Sequence, residues 1–196
     1  ESGHPGPPCC SRRVSGAPGG LTTCIRGGQG YDSLAVPTSL NPPTLDWLLV
    51  VHAFASAFMA GVSWIVQLVH YPLFALADES RGKEFAKLHA ARITWVVAPA
   101  MLVELAVSAT LILPIASGVL PPSLQRLAWI GAVLLVVVWT STFAVQVPLH
   151  AKLAEHGLDR GVIRRLVGSN WVRTAAWSGR AVVAAIMLYE WASRSA

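Results

Sequence analysis

Charge is scarce in this chain. Asp, Glu, Lys and Arg make up 13% of its 196 residues and hydrophobic residues 54%, whereas soluble domains carry about 25% charge. With a mean hydropathy of +0.53, that balance excludes an ordinary soluble globule. Cysteine is also rare. Three cysteines are an odd count and support no disulfide framework, and Cys9 and Cys10 lack the apolar stretch that precedes a lipoprotein cleavage site. The net charge of +5 comes without a dense Lys/Arg run, a zinc finger or an aromatic RNA-binding signature, so no nucleic-acid partner is expected. Catalytic signatures are missing too: no GxSxG, no phosphate-cradling glycine loop, no HExxH or ExxH, and no cysteine pair at zinc spacing in the apolar region. Glu104 has no carboxylate partner at its depth, and only Glu104 and Arg180 ionise in the apolar interior. A pump or channel usually needs a longer chain of such groups.

What is there in quantity is apolar sequence. Leu45–Val69, Ile93–Leu113, Leu127–Val147 and Val172–Trp191 each reach the roughly 20 residues of helix that a hydrocarbon core about 30 Å thick requires. The expected fold is therefore all-α, a four-helix transmembrane bundle over residues 45–196. Residues 1–44 form a different material, about one third Gly and Pro, read as an extended low-complexity tail. The tail has no apolar h-region and is not expected to be a secretory signal. The chain begins at Glu1 and its first methionine is Met59, so it is expected to be processed, partial or translated from an unsettled start.

Basic residues concentrate in two connections: Arg81, Lys83, Lys87 and Arg92 between the first two runs, and Lys152, Arg160, Arg164, Arg165 and Arg173 between the last two. The remaining connection holds only Arg126 and the C-terminus only Arg194. By the positive-inside rule both basic hairpins face the cytoplasm of an inner (plasma) membrane, and both termini lie outside. Trp47, Trp129 and Trp191 then fall at the outer boundary, and Trp95 and Trp171 at the inner one. Pro72 is expected to stop the first helix, Pro148 to break or kink the third, and Pro99 to kink the second. Asp78–Leu88 and Asp159–Val167 read as short surface helices. A faint repeat pairs Val66-Gln67, His70 and Pro72 with Val145-Gln146, Pro148 and His150.

The polar residues of the four runs gather at the hairpin end. Asn170, Arg173, Trp177 and Arg180 share one helix face by their spacing. Trp139, Phe143, Gln146 and His150 form a similar stripe, as do Gly61, Trp64, Gln67 and Tyr71. Three deep tryptophans beneath polar groups suit a flat, partly apolar ligand. The candidate ligand-binding residues are Trp64, Gln67, His70, His89, Trp139, Gln146, His150, Asn170, Arg173 and Trp177. Glu104 and Arg180 lie at similar depth and are expected to form an intramembrane ion pair. Histidines on facing helices can hold cofactors, but no two of His70, His89 and His150 share a helix at ligand spacing. Haem, quinone or pigment remains open without a specific motif, no metal is assigned, and His52 is expected to be a packed or interfacial histidine.

The stretches Trp64–Gln67 through His70–Pro72, Gln146–His150 and Asn170–Thr174 resemble small four-helix membrane proteins of bacteria. More distantly they are similar to the anthrone-oxygenase-like membrane family, where a Val-Pro element ends helix three and a Trp/Arg element opens helix four. That likeness spans about Asp46–Trp191 and implies oxidation of a polycyclic aromatic phenol without an obvious cofactor. His150 stands where that pattern has Asn. The preferred expectation is a non-catalytic accessory subunit of a photosynthetic or respiratory type of complex. It would meet its partner subunits through the tail and through lipid-facing helices, with small-residue faces such as Ala53, Ala57, Ala60 and Gly61. The alternative is a small ligand-binding or redox membrane enzyme with its site at the cytoplasmic end.

Overall fold

The computed structural model describes residues 42–74, 76–113, 118 and 120–195. The tail through residue 41 lies outside them. Every regular element among the described residues is helical. Helix α1 (Pro42–Ile65) runs into a π-helical turn (Val66–His70) and the short α2 (Tyr71–Phe74). A 3₁₀ turn (Glu79–Arg81) leads into α3 (Gly82–Ile112). Helix α4 (Pro122–Ser141) continues through a second π turn (Thr142–Gln146) into α5 (Val147–His156), and α6 (Arg160–Ser195) closes the described chain.

Consecutive rods are antiparallel, as the pairings His70–His89 with Ser56–Glu104, His89–His150 with Leu111–Leu124, and Gln146–Ser169 with Gly131–Arg180 require. Three rods, Pro43–Phe74, Glu79–Ile112 and Pro122–His156, are long and apolar enough to cross a membrane. Helix α6 is longer than any of them but is not among these three. Its apolar character is diluted by Arg164, Arg165, Asn170, Arg173 and Arg180.

Burial is inverted relative to a water-soluble fold. Gln67, Glu104, Gln146, Asn170, Thr174 and Arg180 are inside, while Trp47, Phe54, Trp95, Val136 and Phe143 stand outside, each more than 60% exposed. A soluble protein would sequester such aromatics and hydrate its charges. The interior is layered. An apolar layer at the termini end holds Leu45, Leu49, Leu111, Leu124 and Met187. A middle layer holds Met59, Met101, Leu135 and Trp177, and a third at the hairpin end holds Tyr71, Phe74, Leu153, Ile163 and Leu166. The buried polar residues fall into two sets between these layers.

Pro72 does not stop its helix as expected, and Pro148 interrupts the third helix by a π turn. Pro72 and Pro148 have no N–H, so the carbonyl four residues earlier loses its partner and is crowded by the ring. The chain answers by widening: Tyr71 N–H reaches Val66 O and Val147 N–H reaches Thr142 O, both i→i+5 bonds, and each helix then resumes. The two π turns align on the prolines and not on the Val-Gln pairs. Gln67 is the second residue of its turn and Gln146 the last of its own. Helix α3 runs through Pro99 without interruption.

The expected surface helices are likewise the first turns of longer ones. Asp78 caps the turn into α3, accepting from Ser80 N–H at 2.9 Å and from Ser80 Oγ at 2.8 Å. These bonds hold its carboxyl below the usual carboxylate range. Asp159 accepts from Val162 N–H at 2.7 Å, an N-cap for α6. The hairpin before it turns at Gly157, whose φ of 95° favours glycine.

Candidate functional site

Two side-chain networks occupy the polar levels. Nearer the termini, Glu104 accepts from Ser56 Oγ at 2.8 Å and from Arg180 Nε at 3.1 Å, and pairs with Arg180 Nη2. Arg180 also donates to Ser108 Oγ at 2.9 Å and to the Gly131 carbonyl. Its guanidinium lies 5.9 Å from the Trp177 ring, within cation–π range. His52 Nδ1 approaches the same carboxylate at 3.4 Å without a well-formed hydrogen bond. Glu104 and Arg180 are both fully buried, the charges cancel, and nearly every donor has an acceptor.

The second network lies where the π turns are. Asn170 Nδ2 donates to Gln67 Oε1 at 2.9 Å, and Gln67 Nε2 donates to the Val167 carbonyl at 3.2 Å. Gln146 Nε2 donates to Ser169 Oγ at 3.1 Å. The Tyr71 hydroxyl lies 3.3 Å from Gln146 Oε1 and 3.2 Å from His150 Nε2. His70 Nε2 and His89 Nδ1 are 2.7 Å apart with stacked rings, and the His89 and His150 rings are 5.3 Å apart. Arg173 Nη1 donates to Asn170 Oδ1 at 3.3 Å.

These groups surround a cavity of about 100 Å³ with polar side chains from all four rods: Ser63 and Tyr71, His89 and Thr94, Thr142, Gln146 and His150, Asn170 and Arg173. One water needs about 10–15 Å³ by this measure, so several waters or a compact polar head group fit. Three buried atoms of its wall lack a partner: His89 Nε2, His150 Nδ1 and Arg173 Nε. Buried polar atoms are normally bonded, which marks these three as exceptions. Among the described residues no carboxylate forms an ion pair with Arg173, and no group of three His, Cys, Asp or Glu side chains has metal-holding geometry.

Of the residues singled out from sequence, His89, Gln146, His150, Asn170 and Arg173 line this cavity. Gln67 stands behind Asn170 as its acceptor. His70 lies on the other side of His89, in an outward groove. Trp177 and Trp139 belong to the middle apolar layer. Trp64 is 41% exposed, donating to Ser178 Oγ at 3.0 Å and meeting Trp171 edge-on. Sequence reasoning gave no site role to Tyr71, Ser63, Thr94 or Thr142. Ser63 and Thr142 each precede a buried glutamine by four residues, which places them on its face. That spacing was the available signal.

No protein-family model, no curated protein and no solved structure matches this chain.

Proposed function

We propose that this chain is a ligand-binding membrane protein, of the small redox-enzyme or carrier type, with its site in the polar cavity between the π turns. One observation carries the reading: three residues that each hold a partnerless buried polar atom, His89, His150 and Arg173, line a single cavity. A bundle selected only to hold its shape would gain by closing such a gap, because each orphaned group costs about 1–3 kcal/mol. Tyr71, His89 and His150 also supply groups able to exchange a proton with a bound oxygen atom. The resemblance to the anthrone-oxygenase-like family supports the same class of chemistry, with haem, quinone or pigment as further candidates for the occupant.

In this reading α6 is the fourth span of a bacterial inner-membrane bundle. Its charged residues are tolerated because Arg173 and Arg180 face inward onto the other rods. The basic hairpins lie in the cytoplasm and both termini outside, supported by the Lys/Arg asymmetry of the connections. Cysteine labelling of Ser195→Cys on intact cells tests this orientation, and labelling only after permeabilisation would reject it.

Purification in mild detergent tests the function. We expect a monodisperse protein carrying a small molecule detectable by mass spectrometry, lost from the double variant His150→Leu with Arg173→Gln. An empty wild-type protein in a stoichiometric complex with other membrane subunits would favour the accessory-subunit reading. That second reading draws on an apolar hollow of about 510 Å³ beside Trp47, Phe54, Phe58 and Trp95.

A further inference from the structure

The cavity has a neighbour that suggests what enters it and from where. Between α1 and α3 a groove of about 370 Å³ opens outward, walled by Val62, Ile65, Leu88, Ile93 and Val96. Ile65, Leu88 and Val96 are 61%, 49% and 46% exposed, so this wall faces lipid wherever the rods cross a membrane. The groove turns polar at His70, His89 and Arg92. It spans Phe85 to Val96 on α3, about 16 Å at 1.5 Å per residue.

Groove and cavity share a wall. His89, Val62, Val66 and Ile93 line both, so a single side-chain layer separates them. His89 is 8% exposed, is held by His70 on one nitrogen, and has its other nitrogen unpartnered. Toward the hairpin end the apolar layer of Phe74, Leu153, Ile163 and Leu166 lies over the cavity. Toward the termini Met59, Met101, Val138 and Trp177 lie under it. With both ends layered over, the groove between α1 and α3 is a lateral approach to the cavity, separated from it by the shared wall.

Charge narrows the class of ligand. Among the described residues neither Arg173 in the cavity nor Arg92 in the groove forms an ion pair with a carboxylate. The deep arginine at the other level, Arg180, has Glu104. An unpaired guanidinium in an apolar setting calls for an anion, and its planar fork matches a carboxylate. We propose, building on the ligand-binding reading above, that the site takes a single-chain amphiphile with a carboxylate head, admitted sideways from the lipid. The tail lies along Val62, Ile65 and Val96, and the head passes His89 to reach Arg173 and His150.

The test uses the full chain in nanodiscs, with protein-free discs as baseline. The probes are the fluorescent fatty acid cis-parinaric acid, its methyl ester and decylubiquinone. The acid is expected to bind at least tenfold more tightly than the ester. Arg173→Gln should remove that preference, and Arg173→Lys should restore part of it, with the melting temperature confirming that each variant is folded. Val96→Trp, a plug at the lipid-facing mouth, should slow association about tenfold. Acid affinity unchanged by Arg173→Gln would overturn the proposal, as partitioning into lipid. Ester or decylubiquinone binding as tightly as the acid and lost with His150→Leu would overturn the carboxylate while leaving the site standing. Binding of none of the three probes overturns the proposal, and an empty protein on purification as well removes the ligand-binding reading with it.

Discussion

The two polar levels of this bundle draw on the same residue types and end in opposite states. At the level nearer the termini a carboxylate and a guanidinium face each other, two serines and a carbonyl take up the remaining valences, and His52 and the ring nitrogen of the neighbouring Trp177 are left short of a bond. At the level of the π turns one guanidinium stands without a carboxylate, beside histidines with spare nitrogens and a cavity. Backbone geometry separates them. The first level is crossed by regular α-helix in every rod, whereas Pro72 and Pro148 widen two of the four rods at the second. A π turn bulges the backbone, and such turns are frequent at functional sites. The lesson is that a closed network reads as structure and an open one, built at the same cost in buried polar groups, reads as a place for something else.

The contrast predicts unequal responses to the same chemical change. Arg180→Gln strands Glu104 at a fully buried position, and removing one partner of a buried pair costs about 3–5 kcal/mol. Thermal or denaturant unfolding in detergent should show that loss. The double change Glu104→Gln with Arg180→Gln should recover much of it, since neutral amides are far cheaper to bury than one stranded charge. Simple addition of the two single losses would mean that the pair is not coupled, and the closed level would lose its meaning.

A middle-sized effect should come from the rim of the open level. Asn170 donates to the Gln67 side-chain oxygen and also accepts from Arg173. Asn170→Ala leaves Gln67 Oε1 buried and unbonded, a change worth about 1–3 kcal/mol. Asn170→Asp removes the same donor to Gln67 Oε1 but keeps the acceptor toward Arg173 and supplies it with a carboxylate. It should therefore bind the ligand more weakly than wild type while unfolding less readily than Asn170→Ala. Equal stability of the two variants would place Asn170 outside the network.

Much of this arrangement was legible in the sequence, and the failures share a cause. Inward-facing helix stripes were readable because a 3.6-residue period survives wherever the helix is regular, as it does from Asn170 through Arg180. Near Pro72 and Pro148 that period is broken by one extra residue per π turn, so the stripe through Trp64, Gln67 and Tyr71 mixes an exposed tryptophan with two buried residues. The approach of His70 to His89 was not readable, because it depends on how the hairpin at Ala77–Gly82 sets one rod against the next. The continuity of the hairpin segments with α3 and α6 was hidden by their polarity. Hydropathy marks where a helix leaves lipid, not where it ends, and the capping aspartates Asp78 and Asp159 were the better signal.

The smallest effect on stability, and the most telling, is expected at Arg173. Its side chain has one hydrogen bond to Asn170 and a buried Nε with no partner. Arg173→Gln gives up that single bond but also relieves a partly buried cation that lacks a counter-ion. The two contributions oppose each other, and the net change should stay within about 1 kcal/mol, since a charge-assisted bond is worth about 1.5–3 kcal/mol and unpaired burial costs a similar amount. Arg180→Gln at the other level should therefore cost several times more than the same substitution here. Adding a saturating carboxylate amphiphile should then separate wild type from variant. A ligand at one hundred times its dissociation constant stabilises the form that binds it by about 2.7 kcal/mol, so the wild-type melting temperature should rise and that of Arg173→Gln should stay where it was. If Arg173→Gln unfolds as readily as Arg180→Gln with no ligand present, both arginines are structural and the distinction between a closed and an open level is lost.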